Sequence, residues 1–270
     1  MNDKTKQILL TNDDSIHSPG LWAAAEALDS LGYVHVVAPR DQQSGAGRSM
    51  PIHSSGIIEK MTLHVNGKDW PVFSVDGSPG QAVLHGIYDV IQAKPDLLVS
   101  GINYGENIGS GITLSGTIGA ALEGASLGIP ALAVSMQTKR EHHLSLSTEI
   151  DFKIAGLVTH QLAQKMLSIS LPDDVDVIKV DIPMGVTKDT PLEITSQSRQ
   201  RYYFPVTSKR KSLSDRSPVS YEIRFDPDEL EIGSDVYALL VEKKISVTPI
   251  SIDLTSRVDF KELDALLDED

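Results

Sequence analysis

Gln7-Ile8-Leu9-Leu10-Thr11-Asn12-Asp13-Asp14 decides how the rest of the chain is read. A short apolar run ended by polar residues has the length and composition of a buried strand. In an open α/β sheet, ligands sit just beyond the carboxyl ends of such strands. An amide and two carboxylates at that point form an oxygen-rich set suited to a hard divalent cation. The same residues also serve as a cap for a following helix. One cap does not need three such side chains in succession, so the metal reading turns on what the other strand ends carry.

Outward from this strand, the first two-thirds of the chain alternate strand and helix signals, as in a mostly parallel sheet with crossover helices. Residues 19–31 predict a helix, with Pro19 at its start and Gly32 just past its end. Tyr33 to Ala38 is a second strand closed by Pro39, and 57–75 is a hairpin turning at Asn66-Gly67. A helix runs from Pro79 to about Ile91, and Asp96 to Val99 is a strand entering a glycine-rich stretch. Thr117 to Leu127 is a small-residue helix, Ala131 to Ser135 a strand and 149–167 a long helix. Val177 to Ile182 is expected as the last strand of the main sheet, giving a core over residues 1–183. From 184 to 255 helical period is absent, and Ser220 to Arg224 and Val236 to Val241 read as strands. Lys209-Arg210-Lys211 between them reads as a solvated hairpin tip. Isolated hairpins are marginally stable, so residues 184–270 must pack on the core or on another chain. From Asp259 the chain is a short acidic amphipathic helix.

The 270 residues suffice for a sizeable core, and 40% hydrophobic with 23% charged residues is ordinary for a globular protein. A net charge of −13 argues against a nucleic-acid duplex or an anionic membrane as partner. It leaves room for a small anionic substrate, since a cation or a helix end reverses the local field. The absence of cysteine excludes disulfides, thiolate metal sites and a cysteine nucleophile. No signal peptide or spanning segment is visible at the N-terminus, so a cytoplasmic enzyme is expected.

Three further segments follow strand ends. Asp41 to Ser49 is rich in small residues that let backbone N–H groups and a hydroxyl approach a ligand, although alone it reads as a flexible loop. Ser100 to Gly111 has glycine at 101, 105, 109 and 111 with asparagines between. It is neither a Walker loop nor the dinucleotide fingerprint; it offers amide oxygens and exposed backbone donors. Ser115-Gly116-Thr117 leads into a helix whose free N–H groups suit an anion, and an ordinary cap explains it equally well taken singly. Jointly, these segments describe a site for a phosphate and a metal, with a metal-activated water as the simplest attacking group.

ILLTNDDSIHSPG (8–20), VVAPRDQQSGAG (36–47), SVDGSPGQAV (74–83) and LVSGINYGENIGSGITLSGTIGAALEG (98–124) resemble the SurE, or survival protein E, family of metal-dependent nucleotidases. SVTPISIDLT (246–255) looks like that family's C-terminal strand motif. The resemblance implies a Rossmann-like α/β core with helices on both faces and a β-rich extension over 184–270 exchanged between subunits, giving homodimers or homotetramers. It implies hydrolysis of nucleoside 5′- and 3′-monophosphates, with weaker activity on short polyphosphate, and one divalent cation per subunit, Mg²⁺ or Mn²⁺. By motif, the implied metal ligands are Asp13, Asp14, Ser44 and Asn103. Asn12, Gly45 and Asn107 would border the phosphate, with Ser115, Gly116 and Thr117 on its far side. Asp13 or Asp14 is then the expected proton acceptor, with Asn12 stabilising the transferring group.

This chain departs from the family pattern in three places. Ser15 replaces the usual glycine and would be strained if the position needs a positive φ. His17 stands where alanine is common and reads as a loop residue. Lys179-Val180-Asp181-Ile182-Pro183 replaces Asn-Val-Asn-Val-Pro, which alters packing or charge behind the site. A covalent aspartyl-phosphate route is disfavoured because its signature spaces the two aspartates by one residue. A non-hydrolysing nucleotide- or metal-binding regulatory module is the alternative, with Ser15 as its main support.

Overall fold

The computed structural model describes residues 5–268; Met1 to Lys4, part of the stretch read for a signal peptide, and the last two residues lie outside them. The opening strand, β1 (Gln7–Thr11), lies inside a nine-stranded sheet. Its flanks are parallel strands: β2 (Tyr33–Pro39) on one side and β5 (Leu97–Tyr104) on the other. Beyond β2 come β4 (Lys68–Val75), parallel to it, and its hairpin partner β3 (Ile58–Val65). Beyond β5 come β6 (Ala131–Met136) and β7 (Val177–Ile182), both parallel. The expected turn at Asn66-Gly67 joins β3 to β4, with φ of 48° and 81° at the two residues, the mirror-image turn that suits hairpin twist.

Both faces are covered, as a parallel sheet requires. Helices α1 (Pro19–Leu28) and α4 (Lys153–Met166) bury Leu21, Leu28 and Ala155 against Ile8, Leu10 and Val36. Helices α2 (Pro79–His85) and α3 (Gly116–Ser126) pack Ala82, Ile118 and Ala121 on the other face, against Leu9, Val37 and Leu98. Ile8 and Leu10 serve one face and Leu9 the other, the two-residue strand period acting on a segment buried on both sides. After His85 the α2 backbone widens into a π-helical stretch to Ile91.

Three sequence expectations are corrected. First, β7 does not end the sheet: β11 (Ile245–Ile250) pairs antiparallel with it, and β8 (Leu192–Ile194) pairs with β11. The sheet therefore continues into residues 184–270. Second, 236–241 is no strand: 236–240 belong to helix α5 (Asp235–Leu240) and Val241 is its C-cap, with the Ser234 hydroxyl capping the start by accepting from the Tyr237 N–H at 3.1 Å. An apolar run of six is ambiguous by period alone; the cap and the burial of Val236, Leu239 and Leu240 beside Ile108 and Tyr202 decide it. Third, α4 begins at Lys153 rather than 149, and α1 stops at Leu28. The remaining C-terminal elements are a separate hairpin, β9 (Tyr203–Val206) with β10 (Ser220–Ile223), and α6 (Phe260–Leu267). The Lys209-Arg210-Lys211 tip is exposed, with the Arg210 guanidinium donating to the carbonyls of Leu213, Asp215 and Ser217.

Candidate active site

At β1 the sheet order changes direction: β2 lies on one side and the later strand β5 on the other. A crevice opens at such a point beyond the strand ends, and the Asn12-Asp13-Asp14 segment occupies it. All three side chains are buried, Asn12 completely and Asp14 to within 1%. The Thr117 hydroxyl donates to Asp13 Oδ1 at 2.6 Å. Asp14 Oδ1 accepts from Gln42 Nε2 at 2.8 Å and its Oδ2 from the Tyr104 N–H at 3.2 Å. Asn12 Nδ2 donates to the Ser15 carbonyl at 3.0 Å, while Asn12 Oδ1 is buried without a protein donor.

Two carboxylates out of water and side by side resist ionising together. Burial raises the Asp13 carboxyl, against the pull of the Thr117 hydroxyl and the N–H groups of Gly116 and Thr117. Burial and the neighbouring Asp13 push Asp14 up to about 8, against the Tyr104 N–H and Gln42. Among the described residues no third carboxylate or imidazole joins them to complete a metal-binding group. The donor set is thus two carboxylates and neutral oxygens, the hard chemistry that Mg²⁺ or Mn²⁺ takes while keeping several waters. The uncompensated acid pair fits such a cation, and the unpartnered Asn12 oxygen fits one of its waters.

The other predicted residues are arranged around this pair. The Asp41–Ser49 loop is tied to it by the Gln43 N–H, which donates to the Asp13 carbonyl at 2.7 Å; Ser44 and Gly45 lie exposed at its bend. Asn103 stands at the end of β5, half-buried, with Nδ2 donating to the Gly105 carbonyl at 2.7 Å, which leaves Oδ1 to offer a cation. Asn107 donates from Nδ2 to Ser135 Oγ at 2.8 Å. Ser115 is the N-cap of α3, accepting from the Ile118 N–H at 3.1 Å, so its hydroxyl does the ordinary capping work. Gly116 and Thr117 meet Asp13 directly. A Cβ on Gly116 would fall 2.6 Å from Asp13 Cβ, so only glycine lets the helix start approach this closely. The α3 N-terminus therefore faces the Asp13 carboxylate first, and its dipole favours the ionised acid.

His17 is exposed in the turn after the acid pair, as a loop residue. Ser15 holds φ 95°, so the position does require the left-handed region that glycine fills without cost. Sequence reasoning missed Gln42, which bridges Asp14 and the His143 carbonyl, and it missed Asp235. Gln42 lay within the quoted loop, but a neutral amide there carries no signal of its own. Asp235 was hidden by the strand reading of its neighbours.

A sequence model of the family described as Survival protein SurE matches residues 8–204. The chain is 39% identical to a protein named 5′-nucleotidase SurE from Methanosarcina barkeri, with 97% of each chain covered. It is 40% identical to one of the same name from Thermococcus gammatolerans, over 97% of this chain and 96% of that one. A crystal structure of the SurE protein from Aquifex aeolicus superposes with a TM-score of 0.75 at 32% identity, covering 97% of this chain and all of that one. Likeness of this extent in both sequence and fold makes the chain a member of the SurE family.

Proposed function

We propose that the protein is a metal-dependent nucleotidase, hydrolysing nucleoside 5′- and 3′-monophosphates to nucleoside and phosphate, with short-chain polyphosphate as a weaker substrate. The observation that carries this reading is the buried, uncompensated Asp13–Asp14 pair at the sheet's switch point. The names of its relatives support it. Asp13, Asp14, Ser44 and Asn103 would hold one Mg²⁺ or Mn²⁺ per subunit. Such a cation supplies Lewis-acid polarisation of a phosphoryl oxygen and an acidified water.

The chain's own residues do the rest. Asp13 or Asp14 would accept the attacking water's proton. Thr117 and Gln42 orient those carboxylates by the hydrogen bonds described. Asn12 Oδ1 is an acceptor, so it suits that water better than a phosphoryl oxygen. Gly45, Asn107 and the helix start at Ser115 to Thr117 border the phosphate and stabilise charge on it, the usual main contribution in phosphoryl transfer.

The extension 184–270 is assigned to oligomerisation, as homodimer or homotetramer, around the catalytic core of 1–183. The support is that α6 buries none of its residues and exposes Phe260, Leu266 and Leu267. Among the described residues no helix is long and apolar enough to cross a membrane; a cytoplasmic location is part of the proposal. The test is phosphate release from a panel of nucleoside 5′- and 3′-monophosphates, first with EDTA and then with added Mg²⁺ or Mn²⁺. Release only with metal is expected. Nucleotide binding without release by folded protein would instead mark a regulatory module, and the strained Ser15 is the feature that favours that second reading.

A further inference from the structure

Lys179 and Asp181 lie two apart on β7, so their side chains share one face, and both are completely buried. Lys179 Nζ donates to Asp181 Oδ2 at 2.5 Å and to Asp235 Oδ2 at 3.0 Å. Asp181 Oδ1 accepts the Asn107 N–H at 2.7 Å, and Asp235 Oδ2 accepts the Gly109 N–H at 3.1 Å. Asp235 Oδ1 also accepts the N–H groups of Ser198 and Val236, at 2.9 and 2.8 Å. Burying three charges commonly costs as much as their attraction returns, and apolar residues of similar bulk are often as stable. Stability alone therefore gives no reason for this cluster. What apolar residues cannot supply is fixed, directed acceptors, and here each of two carboxylates holds one N–H of the 107–109 turn.

That turn spans from the end of β5 to the start of the short 3₁₀ helix (Gly109–Leu114) that precedes α3, between the proposed ligand Asn103 and the helix start at Ser115. It lies flush on the C-terminal segment: Ser110 N–H donates to the Gln200 carbonyl at 2.9 Å, and a Cβ on Gly109 would fall 2.5 Å from that same oxygen. Asn107 is thus held by its backbone on Asp181 and by its side chain on Ser135.

We propose that Lys179, Asp181 and Asp235 are positioning residues for phosphate binding, holding the Asn107–Gly109 turn from behind so that its ligand-facing side is formed before substrate arrives. Lys179 keeps both carboxylates in register, and Asp235 makes the C-terminal segment a structural part of the site. The functional consequence rests on the phosphohydrolase reading; the geometry does not.

The experiment uses the full chain with Mn²⁺ and measures kcat and KM on a nucleoside monophosphate, the Kd of inorganic phosphate, and the Kd of Mn²⁺ alone. Asp181→Ala is expected to weaken phosphate binding and lower kcat/KM by about 10- to 100-fold, with the Mn²⁺ Kd within about twofold of wild type. Lys179→Asn/Asp181→Asn restores a neutral acceptor for the Asn107 N–H and is expected to recover phosphate binding to within about threefold. A folded Asp181→Ala protein with wild-type phosphate Kd and kcat/KM overturns the proposal. So does a Mn²⁺ Kd that weakens in parallel, which would mark general damage. Amide hydrogen exchange on the wild-type chain needs no variant: strong protection at Asn107 and Gly109 supports the proposal, and free exchange at both overturns it. Wild-type protein that binds phosphate without hydrolysing it would remove the nucleotidase reading and leave the positioning role standing.

Discussion

Two groups of buried carboxylates, Asp13 and Asp14 just after β1 and Asp181 of β7 with Asp235 of α5, differ in whether a cationic side chain joins them. Asp13 and Asp14 follow β1 with no cationic side chain among their hydrogen-bond partners in the described residues; burial raises both, and Asp13 further raises Asp14. Asp181 and Asp235 lie as deep but share Lys179 and receive backbone N–H groups on their other oxygens. The second group has its cation within the protein, although burial still holds the Asp181 carboxyl above its ordinary value. The first is complete only when something cationic joins it. Burial therefore does not separate a ligand site from a structural one; the balance of charge and donors around the buried groups does.

This contrast can be broken by neutralising one charge in each group. Asp14→Asn should lower metal-dependent hydrolysis on the order of 100-fold or more, because a ligand of this kind is worth several kcal/mol. Retention of more than about a tenth of the rate would sink the assignment. The same variant should raise the melting temperature of the metal-free protein at pH 8 and above, where Asp14 would otherwise ionise beside Asp13. Lys179→Met should do the reverse, costing about 3–5 kcal/mol in a denaturant titration, because it leaves two buried carboxylates without their counter-ion. Equal responses at the two sites would dissolve the distinction.

A pH series sharpens it further. Asp14 is raised from 3.8 to about 8 in the folded chain, so folding favours its protonated form. That contribution is fully present below about pH 4 and is lost as pH rises towards 8. Carboxylates held low, such as Asp76 and Glu193, act in the acid range below this window. The metal-free protein should therefore lose about 5 °C or more of melting temperature between pH 5 and pH 8. Mg²⁺ or Mn²⁺ should restore it, with the larger gain at the higher pH because binding displaces a proton. A flat metal-free profile would show the pair sharing no proton. The smallest effect belongs to Ser15→Gly, which should add about 1 kcal/mol of stability by relieving φ 95° while leaving the rate nearly unchanged. A large gain in rate would instead make Ser15 a brake on catalysis.

Ile8 to Leu10 and Val34 to Ala38 announce strands because apolar runs of that length, cut by polar residues, have few other uses. Adjacent aspartates at the first strand end point to a cation site because one cap does not need two acids in succession. Even the strain at Ser15 follows from what a side chain costs at positive φ, once the family's glycine is known. Local chemistry of this kind is written in the order of the residues. The return of β11 to the sheet, the helix at 235–240 and the meeting of Lys179 with Asp235 were settled only by the folded chain. Lys179 and Asp181 advertise a shared face by their spacing, but their partner lies 56 residues from Lys179. Whether buried carboxylates find a cation within the chain or are left for a ligand depends on distances between segments, and only tertiary packing sets those.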